Sequence, residues 1–298
     1  MNTPLVSVIT ITRNRAKLIG RCIQSVLNQT YKNIEHIIVD GASTDETDDV
    51  VGSFKDERLK YFKLETNLSV VKTIQYGAEQ ARGDYICFLD DDDEYVLTKI
   101  EKQVKLIESL PDDYGMVYCW MSYFDSSNGN AFMHVHKSEF RGFVPIDAAI
   151  KPNVSGTPTF MFRKYVYDEL GGWAEDMPLT TDWELGARCC QKWKVDYVPE
   201  SLVNVYVNHI YDRMSTQMRY NKAFLKKRIG MHEYFLNKYE DTYNKRLGSR
   251  WYQYKSLAFF CLKDKNVWET VKYAFLYVVN VIGNFIYEKF IKPRNKGV

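Results

Sequence analysis

Ile86-Cys87-Phe88-Leu89-Asp90-Asp91-Asp92-Asp93 is an apolar run that ends in four consecutive aspartates. Tyr85–Leu89 reads as a short buried strand, because the turn Arg82-Gly83-Asp84 bounds it on one side and charge on the other. An unbroken apolar strand is covered on both faces, as in parallel sheets. This one delivers four carboxylates to a single point. Like charges that close repel, so the arrangement is costly unless a cation neutralises it. Hard oxygen ligands favour Mg²⁺ or Mn²⁺. Taken alone, Asp92 and Asp93 also read as the acidic first turn of a following helix.

Upstream, strand and helix signals alternate. Leu5–Ile11 is a β-branched run, and Ala16–Gln29 has helical spacing. Glu35–Asp40 is a second strand. Ser43 or Thr44 is placed to cap the next helix, with Asp45 and Glu46 in its first turn. Leu59–Leu64 reads as a third strand and Val70–Ala81 as a helix. Such alternation predicts an α/β fold: a mostly parallel central sheet flanked by helices. In such sheets ligands bind beyond the carboxyl ends of the strands. Three polar clusters fall at those ends: Thr12-Arg13-Asn14, Asp40 to Asp45, and Asp90 to Asp93. Asp40 has the chemistry to accept hydrogen bonds from a base or a ribose, although alone it reads better as a turn and cap.

Downstream the signals are weaker. Gly115–Trp120 reads as a strand and residues 121–147 as irregular and polar. Thr157–Phe162 reads as a strand, Thr181–Lys192 as a helix, and Val195–Val198 and Leu202–Val207 as two short strands. Everything after about Ser215 has a helical pattern. The expected domains are therefore 1–215, with one half at about 1–95 and the other at about 115–215, and a helical region over 216–298.

Composition narrows the classes. The 298 residues are 45% hydrophobic and 15% aromatic, which excludes a disordered chain. A net charge of +2 points to no nucleic-acid partner. Its distribution is uneven. Residues 219–298 hold 17 basic and 6 acidic residues, a balance of +11, while residues 1–218 hold 23 and 32, a balance of −9. A basic tail on an acidic body suits an anionic surface such as a membrane, or a solvated helical face. Cys22, Cys87, Cys119, Cys189, Cys190 and Cys261 include no metal-type pair and mostly sit in apolar runs, as reduced buried cysteines of a cytosolic protein would. The N-terminus enters a strand-like run directly, so no signal peptide is expected. Tyr273–Tyr287 is uncharged between Lys272 and Glu288. It falls short of the ~20 residues of a spanning helix, and Asn280, Gly283 and Asn284 interrupt it. It reads as an amphipathic or core helix.

The motifs together resemble glycosyltransferase family 2. The matching stretches are Val6-Ser7-Val8-Ile9-Thr10-Ile11-Thr12-Arg13-Asn14-Arg15, Val39-Asp40-Gly41-Ala42-Ser43-Thr44-Asp45, and Ala81 through Asp93. Phe162-Arg163-Lys164 with Leu170-Gly171-Gly172-Trp173 resembles the family's acceptor-side segment, and Thr181-Asp182-Trp183-Glu184-Leu185 with Arg188 its acidic helix start. The resemblance covers roughly residues 4–215. It implies the GT-A fold, with nucleotide-sugar binding in the first half of the 1–215 domain and the acceptor side in the second. It also implies roles. Thr12 and Arg15 would lie near the nucleotide and Asp40 at a uracil-type base. Asp90 and Asp92 would form the DxD motif, with Asp92 the metal ligand and Asp90 or Asp91 near the ribose. Asp182 would be the catalytic base. His209, followed by Ser215, would approach the diphosphate or metal. Thr181 stands where the family usually has Glu.

The expected activity is metal-dependent, inverting transfer of a sugar from a nucleotide-sugar donor, most simply a UDP-sugar, to a hydroxyl of a glycan or lipid-linked acceptor. Mn²⁺ or Mg²⁺ is the expected cofactor. The expected setting is bacterial-type polysaccharide assembly, in the cytoplasm or peripherally at the inner membrane face, with the basic region 216–298 as the membrane contact or, otherwise, a core or homodimer element. Two alternatives fit the motifs less well. A nucleotidyltransferase would need a glycine-rich basic loop after the first strand, which Thr12-Arg13-Asn14-Arg15 is not. A non-catalytic nucleotide-sugar-binding protein would not need both Asp92 and Asp182.

Overall fold

The computed structural model describes residues 3–152, 154–177, 179, 182–208 and 222–292. They fall into two compact units: residues 3–144, 154–175 and 182–208 in the first, and residues 145–152, 176–177, 179 and 222–292 in the second.

The first unit is built on one nine-stranded sheet. Its strands are β1 (Val6–Thr12), β2 (Ile34–Asp40), β3 (Leu59–Lys63), β4 (Tyr85–Phe88), β5 (Glu94–Tyr95), β6 (Tyr114–Asp125), β7 (Ala131–His136), β8 (Met161–Arg163) and β9 (Lys194–Val207). The order is β3-β2-β1-β4-β8-β6-β9-β5, with β7 paired to β6. Strands β3, β2, β1 and β4 are mutually parallel, as the alternating sequence predicts. Strand β8 inserts antiparallel between β4 and β6, while β9 runs parallel to β6. The carboxyl ends of β1, β2, β4, β6 and β9 therefore share one edge of the sheet, and the start of β8 joins them there.

Helices α1 (Ile19–Leu27), α2 (Thr47–Ser53), α3 (Val70–Gln80), α4 (Lys99–Glu108), α6 (Lys164–Glu169) and α7 (Asp182–Cys190) flank this sheet, and α5 (Pro145–Ile150) belongs to the second unit. Burial follows helical spacing: α1 turns Ile19, Cys22, Ile23, Val26 and Leu27 into the core. Helix α3 starts on a Ser69 cap and lies close on the sheet. A Cβ at Gly77 would stand 2.8 Å from Ile9 Cγ2 and 3.1 Å from Val39 Cγ2, so only glycine allows that approach. All six cysteines are buried and unpaired.

Four expectations change. Thr157–Phe162 is not one strand: Thr157–Thr159 is a 3₁₀ turn and β8 spans only Met161–Arg163. Residues 121–147 are not irregular: β6 runs on to Asp125 and turns back as β7, and α5 follows. The two short strands expected between Val195 and Val207 are one strand, β9, bent where its register against β6 shifts. Ser43 and Thr44 do not cap α2, which starts at Thr47. Instead Ser43 Oγ accepts from the Asn14 N–H, and Asp45 Oδ1 accepts from the Thr47 N–H and hydroxyl.

The second unit holds α5, α8 (Lys222–Lys238), α9 (Glu240–Asn244), α10 (Trp251–Lys263) and α11 (Val267–Ile286), the last continuing in a π turn over Tyr287–Ile291. Tyr243 donates its hydroxyl to the Ala149 carbonyl at 2.7 Å, and Gln253 donates to Ala149 and Ile150, which fasten α5 to the other helices.

Candidate active site

Strand β4 stops at Phe88, and the next residues carry the acidic run. Oxygens of Asp90, Asp92 and Asp93 lie within 4.8 Å of one another, with Asp90 exposed and the other two buried. Three carboxylate oxygens converging at that spacing suit one small, hard cation, so the residues present fit the Mn²⁺ or Mg²⁺ that the sequence suggests. Asp93, one of the four aspartates of the acidic run, is the third converging carboxylate. Its Oδ1 also accepts from the Tyr206 backbone N–H at 3.0 Å, which ties the acidic loop to the end of β9.

The loop is fastened elsewhere too. Arg21, on α1, donates to the Asp92 carbonyl at 2.6 Å and lies 3.7 Å from the centre of the Tyr206 ring. Tyr206 in turn donates its hydroxyl to Glu94 at 2.6 Å. Asp91 is not among the converging three. Its Oδ2 accepts from the Thr12 hydroxyl at 2.7 Å, and Arg15 Nε lies 3.9 Å from its Oδ1. Burial, then the charge of Asp92, pushes the Asp91 carboxyl up to about 7, while Thr12 and Arg15 oppose the rise. Thr12, Arg15 and Asp91, expected at the nucleotide, thus form one cluster.

Asp40 ends β2, directly across from Thr12 on β1. It is fully buried. One oxygen accepts from the Ser43 N–H at 2.8 Å and the other from the Tyr61 hydroxyl at 2.6 Å. Burial and the Asp40 contact raise the Tyr61 phenol, which stays protonated as the donor. In this arrangement Asp40 holds the Gly41–Ser43 turn and orients Tyr61, a residue the sequence reading passed over.

Asp182 opens α7. Its Oδ2 accepts from the Thr157 N–H at 3.2 Å and its Oδ1 from the Trp183 N–H at 2.8 Å. A Cβ at Gly156 would lie 3.2 Å from both Asp182 Oδ2 and Met121 Cε, so a glycine lets the carboxylate sit against that backbone. The pairing of β8 with β4 is antiparallel, Cys87 opposite Met161. Thr157–Thr159, just before β8, therefore lies beside the end of β4, and Asp182 is anchored at the same edge of the sheet as the acidic run. Burial raises the Asp182 carboxyl above the ordinary carboxylate range, opposed by the Thr157 and Trp183 N–H groups and by His136. His136 is the cross-strand partner of Met121 in the β6–β7 hairpin. Burial, then the nearby His134, holds it below its usual value, so the ring beside Asp182 is neutral at pH 7.

Glu184 faces elsewhere. It is buried and pairs with Arg188 at 2.7 Å, and Arg188 also donates to the Leu170 and Gly172 carbonyls. This fastens α7 to the Gly171-Gly172-Trp173 segment. Trp173 is buried, edge-on to Phe88 with ring centres 6.0 Å apart, and is core here. His209, Ser215 and Thr181 lie outside the described residues.

Three comparisons bear on this arrangement. The family description "Glycosyl transferase family 2" matches residues 7–171. The chain is 27% identical over 245 residues to an uncharacterized glycosyltransferase of Methanocaldococcus jannaschii, covering 80% of this chain and 83% of that protein. It is 40% identical over 105 residues to the Escherichia coli UDP-Glc:alpha-D-GlcNAc-diphosphoundecaprenol beta-1,3-glucosyltransferase WfaP, covering 35% of this chain and 42% of WfaP. Among solved structures, S. aureus TarS 1–349 in complex with UDP-GlcNAc superposes with a TM-score of 0.63 at 17% identity, over 95% of this chain and 91% of that one.

Proposed function

The chain belongs to glycosyltransferase family 2, with the GT-A fold and a helical C-terminal region, and is a transferase; from that premise we propose that it is a metal-dependent, inverting enzyme that moves a sugar from a UDP-sugar to a hydroxyl of a glycan or lipid-linked acceptor. One observation carries the reading: the gathered carboxylates of Asp90, Asp92 and Asp93 and the separately held carboxylate of Asp182 stand at the same edge of the sheet. The comparisons support the donor class, since the TarS complex holds UDP-GlcNAc and WfaP is named for UDP-Glc. The WfaP name supports a lipid-linked glycan as acceptor. The setting we propose is polysaccharide assembly at the cytoplasmic face of a membrane.

Asp92 and Asp90 would hold the cation, with Asp93 adjoining; His209 is the further ligand the family resemblance suggests. When bound, a divalent cation offsets negative charge on the leaving diphosphate. Thr12, Arg15 and Asp91 line the nucleotide side. Asp40 acts on the base through the Tyr61 hydroxyl and the Gly41–Ser43 turn it holds. Asp182 takes the proton of the acceptor hydroxyl. That oxygen bonds to the anomeric carbon as the bond from the carbon to the diphosphate oxygen breaks, its electron pair leaving with the nucleoside diphosphate. Attack opposite the leaving group inverts the configuration.

The test is a screen of UDP-, GDP- and dTDP-sugars with Mn²⁺, Mg²⁺ or chelator, followed by proton NMR of the product. UDP release that needs metal, and a product of inverted anomeric configuration, are expected. Metal-independent turnover or retained configuration overturns the reading.

A further inference from the structure

Among the described residues, Val267–Ile291 is the one helix long and apolar enough to cross a membrane, and almost none of it is buried. Its inner side is mixed, with Tyr273 and Leu276 packed against Leu257 and Cys261 and polar or glycine residues beside them. The side against its own unit carries Tyr273, Asn280, Gly283 and Asn284. Tyr273 is buried and donates to Glu233 at 3.2 Å, and Asn284 accepts from Arg246 at 3.2 Å. The Leu247-Gly248 turn presses flush on this side. A Cβ at Gly248 would meet Asn284 N at 2.1 Å and Asn280 O at 2.3 Å. The polar and glycine residues that weaken the stretch as a linear sequence are thus its attachment to the protein.

The opposite side is uniformly apolar. Phe275, Val278, Val279, Ile282, Phe285 and Ile286 are all exposed. At 100° per residue they occupy one continuous arc, about 120° wide and, with its flanks, nearly half the helix. No charged residue interrupts it between Lys272 and Glu288. Phe259 and Leu262, on α10, are exposed and apolar as well. An apolar surface of this extent marks an interaction site rather than ordinary surface.

We propose that this arc lies flat in the interface of an anionic lipid bilayer, buried to the depth of its side chains and not spanning. The chemistry selects the occupant. Lysines stand at both ends of the arc, Lys272 and Lys289, with Lys263 and Lys265 at the α10–α11 turn, and residues 219–298 carry the excess of 17 basic over 6 acidic residues. Anionic headgroups attract such a rim while acyl chains accept the arc. A second copy fits worse. A self-pairing would leave the basic excess of residues 219–298 without an opposite charge, since Glu269 and Glu288 already pair with Lys272 and Lys292. Spanning is disfavoured by length and by attachment. The uncharged stretch covers roughly 20 Å of helix against ~30 Å of hydrocarbon, and its inner side would drag Glu233 and Arg246 into the bilayer.

The test uses the full chain and flotation with vesicles of phosphatidylglycerol and phosphatidylethanolamine, or of phosphatidylcholine alone. The wild type should float with the anionic vesicles and lose binding as salt rises. F275S/I282S should bind at least about tenfold more weakly, with unchanged circular dichroism and unchanged donor hydrolysis in the absence of lipid. K272E/K289E should lose the preference for anionic vesicles. Trp268 emission, read by difference against W268F, should be quenched more by lipids brominated near the headgroup than near the bilayer centre. No flotation at low salt, or wild-type binding by F275S/I282S, overturns the proposal. So does equilibrium sedimentation showing a dimer that F275S/I282S dissociates, which would make the arc a self-interface. Deeper quenching at the bilayer centre overturns the flat orientation.

Discussion

Thr157 and Asp182 are 25 residues apart, and the backbone N–H of Thr157 donates to Asp182 Oδ2 at 3.2 Å. Because Thr157 precedes β8, and β8 runs antiparallel beside β4, this hydrogen bond places the carboxylate proposed as base next to the strand that delivers the acidic run. It also leaves Asp182 apart from the carboxylates that gather for a cation, as a general base must be if it is to remain available to a proton.

Asp182→Asn should leave nucleotide affinity near wild type, because Asp182 is separate from the nucleotide-side cluster of Thr12, Arg15 and Asp91, although its single amide oxygen keeps only one of the bonds from Thr157 and Trp183. Sugar transfer should fall by roughly 10²–10⁴-fold, the usual general-base contribution. Calorimetry with UDP and steady-state transfer assays separate the two effects. Normal transfer by the variant would remove Asp182 from the mechanism.

The pH dependence follows from burial. Asp182 works as a carboxylate, and its pKa is raised above the ordinary range. Activity should therefore be lost on acidification at a higher pH than the ~3.9 of a free aspartate. His136 opposes the rise, so His136→Gln should move the acid limb of kcat/KM further toward neutral. A limb that stays put in the variant, or lies at the free-aspartate value in the wild type, contradicts this.

Asp92→Asn should abolish metal-stimulated turnover while the fold persists, since Asp92 sits on a loop held by backbone contacts that the asparagine keeps, including the Arg21 bond to its carbonyl. Mn²⁺ titration of donor hydrolysis, beside a thermal melt, reads both. Wild-type stimulation by metal would exclude Asp92 as a ligand.

Asp40→Ala should weaken UDP binding by about 1.5–3 kcal/mol, the size of a charge-assisted hydrogen bond, with metal dependence intact. Tyr61→Phe should reproduce part of the loss, because Asp40 is fully buried and orients the Tyr61 hydroxyl. Unchanged affinity in both variants, measured by calorimetry, would refute the base-side role.

Glu184→Ala strips the partner from Arg188 inside the protein. Breaking a buried ion pair from one side costs about 3–5 kcal/mol. A urea titration should show the midpoint falling with little change in slope. A shift under 1 kcal/mol would mean that the Leu170 and Gly172 carbonyls satisfy Arg188 without the carboxylate.

The sequence by itself determined the parallel half of the sheet, β1 to β4 with the helices between them, and the acidic run at its edge. These are local signals: an apolar run covered on both faces, a turn, and a charge step are read within ten residues. The Asn128-Gly129 pair at the tip of β6–β7, with period-two residues after it, was a hairpin signal of the same kind that went unread. What only the tertiary structure decided depends on residues distant in the chain. The pairing of β8 with β4 brings Thr157, and with it Asp182, to the acidic edge; the β6–β7 register sets His136 beside them; and the Gly248 turn fixes which side of α11 faces in. Linear hydropathy sums over both faces of that helix, so its polar residues counted against a lipid contact until packing turned them inward and left the apolar arc outside.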